Sequence, residues 1–167
     1  VERQALLFSA TFPDQIDWIA GKLLKNPQKV VVESTHSESS IKQSFYHIND
    51  SDHRKLATSL LLMQHQPESC VIFCNTKIET VELTEYLTSF GFSAKALNGD
   101  LEQKDRDQTL VRFSNKSISI LVATDVAARG LDVDNLDAVI NYELSRDPEV
   151  HVHRIGRTGR AGTFRVS

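Results

Sequence analysis

The stretch CVIFCNTKIET, residues 70–80, joins a short apolar run to a polar turn and then to the start of a helix. Cysteine, valine, isoleucine and phenylalanine fill its first five positions, a composition that predicts a buried strand. Thr76 and Glu79 have the spacing of a capping box, which indicates that a helix begins there. A buried strand followed at once by a helix is typical of a parallel α/β sheet, so this stretch predicts the fold class.

The same alternation of strand and helix signals continues on both sides of this stretch. Short β-branched runs alternate with segments of helical period, which indicates βαβ units and a parallel sheet flanked by helices. Further strands are predicted at Ala5–Phe8, Lys29–Val32, Ile41–Ile48, Ser93–Leu97, Ile118–Ala123 and Asp137–Asn141. Helices are predicted at Pro13–Leu24, Asp52–Gln64 and Gln103–Ser114, from Thr76 to near Gly91, and after the pair Asp147-Pro148.

The length and composition are those of a globular protein with one substantial core. The chain has 167 residues, of which 40% are hydrophobic and 25% are charged. Its formal net charge is -3, yet residues 146–165 contain five arginines and only two acidic residues. That segment therefore carries a net +3 and the remainder of the chain -6. A basic site hidden in an acidic chain points to a localised anion rather than to a general coating of nucleic acid.

The two cysteines, Cys70 and Cys74, indicate buried thiols in a reducing compartment. They form no CxxC pair and have no histidine nearby at ligand spacing, which disfavours a disulfide and a zinc site. No apolar run in the sequence approaches the roughly 18 residues of a membrane span, and its first residues do not have the pattern of a signal peptide. We therefore expect a cytoplasmic protein.

Polar clusters follow three of the predicted strands at the point where each strand ends. They are Asn75-Thr76, Asn98-Gly99-Asp100 and Thr124-Asp125. The carboxyl ends of parallel strands lie at one edge of the sheet, and open α/β sheets bind their ligands at this edge. Polar loops also follow strands where no ligand binds, so each cluster alone is weak evidence. Together the three clusters predict a binding site at this edge.

The segment HVHRIGRTGRAG, residues 151–162, sets three arginines at three-residue spacing with glycines between them. On a helix each residue advances by about 100°, so His153, Arg157 and Arg160 share a face. Like charges so placed repel, and each glycine inside a helix costs roughly 1 kcal/mol relative to alanine. A bound anion reverses this balance, because guanidinium groups bind phosphate bidentately. The alternative is a solvated charged face, which would usually contain glutamate or lysine and no glycine.

The segment ATDVAARGLD, residues 123–132, also combines residue types that suit a nucleotide. The Thr124 hydroxyl can hydrogen-bond a phosphate, Gly130 permits an unusual turn, and Asp132 can accept from a sugar hydroxyl. Asp125 could equally cap a short helical turn, and alone it is weak evidence.

Together these segments resemble the second RecA-like domain of the DEAD-box ATP-dependent RNA helicases. The matching stretches occur in the order of the family over nearly the whole chain. They are Ser9-Ala10-Thr11 in LLFSATFP, Val71–Thr76 in VIFCNT, Asn98–Arg106 in NGDLEQKDR, Ala123–Asp132 in ATDVAARGLD and His153–Arg160 in HRIGRTGR. Two stretches, GDLEQKDRDQTLVRF and DPEVHVHRIGR, look most like a bacterial type within this family that acts in ribosome assembly.

The resemblance implies roles for residues at a bound nucleotide. Arg157 and Arg160 look like the arginine fingers that meet the phosphates of ATP from across a domain cleft. Gly130 and Asp132 look like residues that line the nucleotide, with Asp132 near the ribose. Mg²⁺ would accompany ATP, with its ligands in the first domain.

The resemblance also implies an RNA site and a coupling network. The residues that resemble the groups holding the RNA backbone, largely independently of sequence, are Asn75, Thr76, Gly99, Arg106 and Thr124. Ser9 and Thr11 belong to the motif that couples hydrolysis to RNA binding. The residues that resemble an interdomain network are Arg129, His153 and Arg154. Asn98 stands where the family commonly has histidine, a departure that concerns a minor contact.

The resemblance divides the chain into three parts. Residues 1–33 would be the tail of the first RecA-like domain, residues 34–40 the interdomain linker, and residues 41–167 the second, C-terminally truncated domain. The linker sequence STHSESS has no apolar residue. Neither a GxxxxGK[ST] loop nor a DEAD sequence occurs in the chain, so we expect no ATP hydrolysis without the first domain in cis. With it, the expected activity is RNA-dependent ATP hydrolysis and local duplex unwinding by a monomer.

A function from another class remains open. The chain could be a non-catalytic module that binds the RNA backbone or phosphate. The SATFP stretch upstream of the linker favours the helicase, since this motif has no purpose without its own domain. The specific residues of the motifs HRIGRTGR and ARGLD disfavour a DNA-directed helicase. A metal site at His151 and His153 is also disfavoured, because alternate positions on a helix do not converge.

Overall fold

The structure, a computed structural model, describes residues 7, 14–26, 28–30, 43–48, 50–128, 136–145, 150, 151 and 154. The chain divides into two compact units, residues 1–35 and 36–167. The three-part layout inferred from the resemblance stays a prediction, and its linker, residues 34–40, lies outside the described residues.

Helix α1 is the regular element described in the first unit. It spans Asp14–Leu23, and the helix predicted at Pro13–Leu24 therefore ends one residue earlier than expected. In its last turn the Lys22 ammonium lies 3.7 Å from the centre of the exposed Trp18 ring, a cation–π contact. The strand predicted at Lys29–Val32 is wrong at residues 29 and 30, which have no regular secondary structure.

The second unit alternates helices and strands, as predicted. Its helices are α2 (Ser51–His65), α3 (Lys77–Ser89), α4 (Gln103–Ser114) and α5 (Asp125–Ala128), and its strands are β1 (Cys70–Cys74), β2 (Ala94–Leu97), β3 (Ile120–Thr124) and β4 (Ala138–Asn141). The four strands form one sheet in the order β2-β3-β1-β4, and each neighbouring pair is parallel. The predicted parallel sheet flanked by helices is therefore confirmed.

The strand register brings the carboxyl ends of all four strands level. Phe73 of β1 pairs with Ala123 of β3 on one side and with Asn141 of β4 on the other. Leu97, the last residue of β2, also pairs with Ala123. The loops that follow the four strands therefore start from the same edge of the sheet, called here the carboxyl edge.

Strand β1 lies inside the sheet, and all five of its residues are buried. Cys70, Ile72 and Cys74 contribute to a core that includes residues of α2 and α3. Val71 and Phe73 contribute to a second core, which includes residues of α4 and α5. Because helices cover both faces of the sheet, this strand is apolar throughout instead of alternating with polar residues.

The ends of α3 show why the 70–80 stretch predicts a helix. The hydroxyl of Thr76 accepts from the backbone N–H of Glu79 at 3.2 Å, and the Glu79 carboxylate accepts from the backbone N–H of Thr76 at 3.1 Å. The predicted capping box is therefore confirmed. The helix ends at Ser89, and Gly91 follows with a φ of 86°, a conformation that glycine adopts without strain.

Two other predicted strands differ from the structure. Residues 43–48, within the strand predicted at Ile41–Ile48, have no regular secondary structure. A strand needs a hydrogen-bonded neighbour, and no strand of the described sheet pairs with them. Phe45 and Tyr46 are both exposed, so neither face of this segment is buried as a strand would require. Leu7, within the strand predicted at Ala5–Phe8, is likewise outside regular structure.

Among the described residues, no helix combines the length and the apolar composition that crossing a bilayer requires.

Candidate functional site

The carboxyl edge carries a polar group after each strand. Asn75 follows β1, Asn98 follows β2, Thr124 is the last residue of β3, and Glu143 lies two residues beyond β4. The predicted convergence of the three polar clusters at one edge agrees with the level strand ends. A fourth group, from β4, was not predicted.

Arg154 is the buried centre of this edge. Only 2% of its surface is exposed. Its Nε donates to Asp125 Oδ1 at 2.6 Å and its Nη2 donates to Asp125 Oδ2 at 2.7 Å, which makes a bidentate guanidinium–carboxylate pair. Asp125 begins α5 directly after β3, so the pair ties the helical residue Arg154 to the end of that strand.

The remaining donors of Arg154 bind three further acceptors. Nη1 donates to Asn141 Oδ1 at 3.1 Å and to the Glu143 carbonyl at 2.8 Å, and Nη2 also donates to Asn75 Oδ1 at 3.1 Å. All the N–H donors of the guanidinium thus have acceptors. The sequence predicted that a bound anion offsets the repulsion between the arginines of this segment. For Arg154 the anion is the carboxylate of Asp125, which belongs to the same unit of the chain. The predicted role of Arg154 in an interdomain network stays a prediction.

Asn75, a predicted RNA contact, is exposed but held by internal hydrogen bonds. Its Nδ2 donates to Glu143 Oε2 at 3.0 Å and to the Leu144 carbonyl at 3.4 Å, while its Oδ1 accepts from Arg154. Both amide protons are therefore in use, and a phosphate oxygen would have to displace one of these acceptors.

Thr76, also a predicted RNA contact, uses its hydroxyl within α3. The oxygen accepts from the backbone of Glu79 and donates to the Glu79 carboxylate at 2.9 Å. This residue therefore has a structural role as the cap of α3, whatever it binds outside the chain.

The loop after β2 is held to α3 at two points. Asn98 is buried; its Nδ2 donates to the Thr80 hydroxyl at 3.0 Å, and its Oδ1 accepts from the backbone N–H of Asp100 at 3.1 Å. Lys77, the first residue of α3, forms an ion pair with Asp100. Gly99 lies between these contacts and is exposed, with space for a Cβ beside Lys77.

Thr124 and Arg106 are the other predicted RNA contacts that the structure describes. The Thr124 hydroxyl accepts from the backbone N–H of Ala127 at 3.4 Å, at the start of α5. Arg106 is half-buried on α4. Asp125 was the alternative candidate for capping this short helix, but Thr124 caps it instead, and Asp125 binds Arg154.

The remaining predicted site residues lie outside the described residues. They are Arg157, Arg160, Gly130, Asp132, Ser9, Thr11, Arg129 and His153. Their assigned roles stay predictions.

Three side chains at this edge were missed by the sequence reasoning. Glu143 accepts from Asn75 and from Arg54 of α2, and Lys77 pairs with the loop after β2. The strand-end rule that selected the other clusters applies equally to Glu143, so the sequence did contain a signal for it. Nothing in the local sequence signals Arg54, since its contact depends on how α2 packs.

Burial sets the protonation of two kinds of group in and beside the sheet. It raises the pKa of both β1 thiols, Cys70 and Cys74, so they stay neutral. It also raises the pKa of Tyr142 to about 12, with nearby Arg54 opposing the shift. The predicted free, buried cysteines are confirmed. Within the described ranges, no cluster of three His, Cys, Asp or Glu residues is placed to hold a metal ion.

A family model and curated relatives define the class of this protein. Residues 52–162 match the helicase conserved C-terminal domain, and the chain belongs to that family. Its relatives are DEAD-box RNA helicases. It is 54% identical to the ATP-dependent RNA helicase DbpA of Escherichia coli over 160 residues, which are 96% of this chain and 35% of the relative. It is 43% identical to the DEAD-box ATP-dependent RNA helicase RhpA of Helicobacter pylori, covering 96% of this chain and 33% of the relative.

Solved structures agree with this class. Dbp5 of S. cerevisiae bound to RNA and ADP BeF3 matches with a TM-score of 0.84 and 31% identity, over 96% of this chain and 43% of the other. A DEAD box protein of Methanococcus jannaschii matches with a TM-score of 0.72 and 39% identity, also over 96% and 43%. The RecA-like fold and the resemblance to the DEAD-box helicases, with DbpA as a bacterial relative, are therefore confirmed. The chain spans about a third of the length of the curated relatives it matches.

Proposed function

We propose that this chain supplies the second RecA-like domain of an enzyme that couples ATP hydrolysis to RNA binding and local duplex unwinding. The observation that carries the proposal is the buried Arg154, which fixes its segment to the carboxyl edge through Asp125 and Asn75. The edge is where open α/β sheets bind nucleotides and similar ligands.

The arginine fingers are proposed from this anchor. Arg157 and Arg160 follow Arg154 by three and six residues. Three residues of chain span at most about 11 Å, so the Cα of Arg157 stays close to an anchor that is itself on the edge. Since Arg154 uses its donors internally, the two later arginines are the ones proposed for ATP. Their permanent charge would stabilise the negative charge that develops during phosphoryl transfer.

The RNA site is proposed along the same edge. Its members are the predicted contacts Asn75, Thr76, Gly99, Arg106 and Thr124. Hydroxyls, amides, backbone N–H groups and one guanidinium suit phosphates and sugars rather than base edges, which favours binding that is largely independent of sequence. The exposed Gly99, beside the paired Lys77 and Asp100, leaves the loop backbone open to a strand of RNA.

The nucleotide would lie between this domain and a first domain in cis. Gly130 and Asp132 would line ATP, and the first domain would supply the phosphate-binding loop and the ligands of Mg²⁺. Ser9 and Thr11 would couple hydrolysis to RNA binding, with Arg129 and His153 in the interdomain network. In this layout residues 1–33 end the first domain and residues 34–40 are the linker. Without that domain we propose that the chain is inactive.

The cellular role is proposed from the sequence resemblance. The identity of 54% to E. coli DbpA, against 43% to RhpA, supports the bacterial ribosome-assembly type. We propose that the protein acts as a cytoplasmic monomer. Cells that lack it should accumulate ribosomal precursor particles in sucrose gradients, and normal subunit profiles would contradict this role.

The function is tested by measuring ATP turnover of the protein at its natural length, with and without RNA. RNA should raise turnover strongly, whereas single-stranded DNA of the same sequence should not. A short RNA duplex should separate only when ATP is present. DNA stimulation equal to that by RNA would favour a DNA-directed helicase.

The second candidate is a non-catalytic module that binds RNA backbone or phosphate. The Asn75 amide and the Thr76 hydroxyl already make hydrogen bonds within the chain. These bonds would keep an RNA-binding surface rigid in a protein that catalyses no reaction. RNA binding with no RNA-stimulated ATP turnover at natural length would favour this module over the helicase.

A further inference from the structure

The Glu143 carboxylate lies between two elements that meet at the carboxyl edge. Its Oε2 accepts from Asn75 Nδ2 at 3.0 Å, and its Oε1 accepts from Arg54 Nη1 at 2.6 Å. The side chains of Arg54 and Glu143 are 26% and 29% exposed, so the ion pair is partly withdrawn from water. Such pairs hold their geometry better than exposed pairs do, because water screens them less.

Glu143 also meets the arginine segment. Its backbone carbonyl accepts from Arg154 Nη1 at 2.8 Å, and Arg154 Nη2 donates to Asn75 Oδ1 at 3.1 Å. The amide of Asn75 is therefore held at both ends, by the carboxylate on one side and by the buried guanidinium on the other. An exposed asparagine without such partners would sample several rotamers.

From this geometry we infer that Glu143 is a positioning residue for RNA. Its carboxylate fixes the orientation of the Asn75 amide, and through that amide it links the RNA-binding loop after β1 to Arg154. Arg54 holds the other oxygen of the same carboxylate and so fixes the carboxylate itself to α2. The inference rests on the proposed function, because it assigns Asn75 to the RNA site.

The linkage predicts an effect on RNA more than on ATP. When Glu143 loses its carboxylate, Asn75 Nδ2 loses its charged acceptor, and the amide is held less firmly, by the Leu144 carbonyl at 3.4 Å and by Arg154 Nη2 at 3.1 Å. Arg154 keeps Asp125 as its bidentate partner, so the arginine segment stays anchored. The cost should therefore appear in the RNA concentration that half-saturates ATP turnover, with a much smaller change in the turnover number at saturating RNA.

The test compares Glu143→Ala, Asn75→Ala and the double variant in the protein at its natural length. Loss of a hydrogen bond to a charged group corresponds to about tenfold in an equilibrium constant. We expect Glu143→Ala to raise the half-saturating RNA concentration by about that factor, and to have no further effect in the Asn75→Ala background. Glu143→Gln retains the shape and one oxygen acceptor, so its effect should be smaller.

Glu82→Ala is the matched control. Glu82 of α3 also pairs with a basic residue of α2, since Lys55 Nζ lies 3.7 Å from Glu82 Oε2, but neither residue belongs to a loop that follows a strand. It should leave the half-saturating RNA concentration unchanged. If Glu143→Ala does not fold, Glu143→Gln is compared with Asn75→Ala in the same way.

Three results would overturn the inference. An unchanged half-saturating RNA concentration in the folded Glu143 variants would show that the carboxylate does not position Asn75. Fully additive effects of the two substitutions would show that the residues act separately. A wild-type protein that binds RNA without stimulated ATP turnover would instead reject the proposed function, and this inference with it. In the first two cases wild-type turnover is normal, so the failures are distinguishable.

Discussion

Arg154 and Asp125 form a bidentate ion pair between residues 29 positions apart, with N–O distances of 2.6 and 2.7 Å. The pair joins the helical residue Arg154 to the end of β3. Together with the hydrogen bonds from Arg154 to Asn141, Glu143 and Asn75, it attaches Arg154 to the edge of the sheet. Because Arg154 is buried and its donors are all used, it stabilises the edge and has no N–H group left for a ligand.

Replacement of Arg154 by methionine should lower the free energy of unfolding. The change leaves the Asp125 carboxylate and the Asn141 amide without their partner, and breaking a buried ion pair typically costs about 3–5 kcal/mol. Asp125 keeps some contact with water, so we expect a value near the lower end, about 3 kcal/mol. Urea unfolding followed by circular dichroism measures it.

Arg112→Met is the control for this variant. Arg112 is exposed on α4, where substitutions usually change stability by less than about 0.5 kcal/mol. Equal urea midpoints for the two variants would show that the Arg154 network contributes nothing to stability.

Thr76→Ala should destabilise α3 through loss of its cap. The hydroxyl satisfies the backbone N–H of Glu79, and an N-cap of this kind contributes about 1 kcal/mol. Thr76→Ser retains the hydroxyl and should be close to wild type in urea unfolding. A serine variant as unstable as the alanine variant would mean that the methyl group, not the cap, is what matters.

The elements with local signals were predictable from sequence. The CVIFC strand and the helix at Gln103–Ser114 have the bounds that were predicted. A continuous apolar run marks the strand and helical periodicity marks the helix, and both signals can be read from residues that are neighbours in the sequence. The strand at Ile41–Ile48 was predicted from composition alone. A strand also requires a pairing partner, which local composition does not specify, and residues 43–48 have no such partner in the described sheet.

The two cysteines should resist alkylation in the folded protein. Burial raises the pKa of both thiols, and the thiolate is the reactive form. Iodoacetamide at pH 8 should label neither Cys70 nor Cys74 until urea unfolds the protein, as mass spectrometry of the intact chain would show. Rapid labelling of the native protein would contradict the buried placement of β1.

Stability should fall in strongly alkaline solution, and Tyr142 should contribute to the fall. Its pKa is about 12 in the folded protein, against an ordinary value of 10.0. Between these values the unfolded chain has lost the proton that the folded chain retains. The contribution of Tyr142 is therefore fully present below about pH 10 and is lost as the pH rises toward 12.

Tyr142→Phe isolates this contribution. Its free energy of unfolding should decline less steeply than that of wild type between pH 10 and about 12, the range between the two pKa values. Wild type and Tyr142→Phe both retain the buried thiols of Cys70 and Cys74, whose raised pKa values lower the free energy of unfolding at high pH equally in the two proteins. Parallel declines would show that the phenol does not titrate differently in the two states.

The site was predictable as a location but not as a network. Strand ends follow from local patterns, and the rule that parallel strands bring their carboxyl ends to one edge placed Asn75, Gly99 and Thr124 there. The partner of Arg154 was not predictable, because Asp125 and Asn75 lie 29 and 79 positions away. The charge and spacing of the segment predicted a bound anion, whereas packing gives Arg154 an internal carboxylate as its partner.

We propose that the arginine segment, anchored at the carboxyl edge by Arg154, presents Arg157 to the phosphates of ATP. The most direct measurement is single-turnover ATP hydrolysis at saturating RNA by the protein at its natural length, for wild type, Arg157→Ala and the control Arg112→Ala. Arginine fingers contribute roughly 10³–10⁵ in rate, so we expect a loss of that order in Arg157→Ala, with the urea midpoint unchanged. A rate equal to that of wild type would contradict the claim.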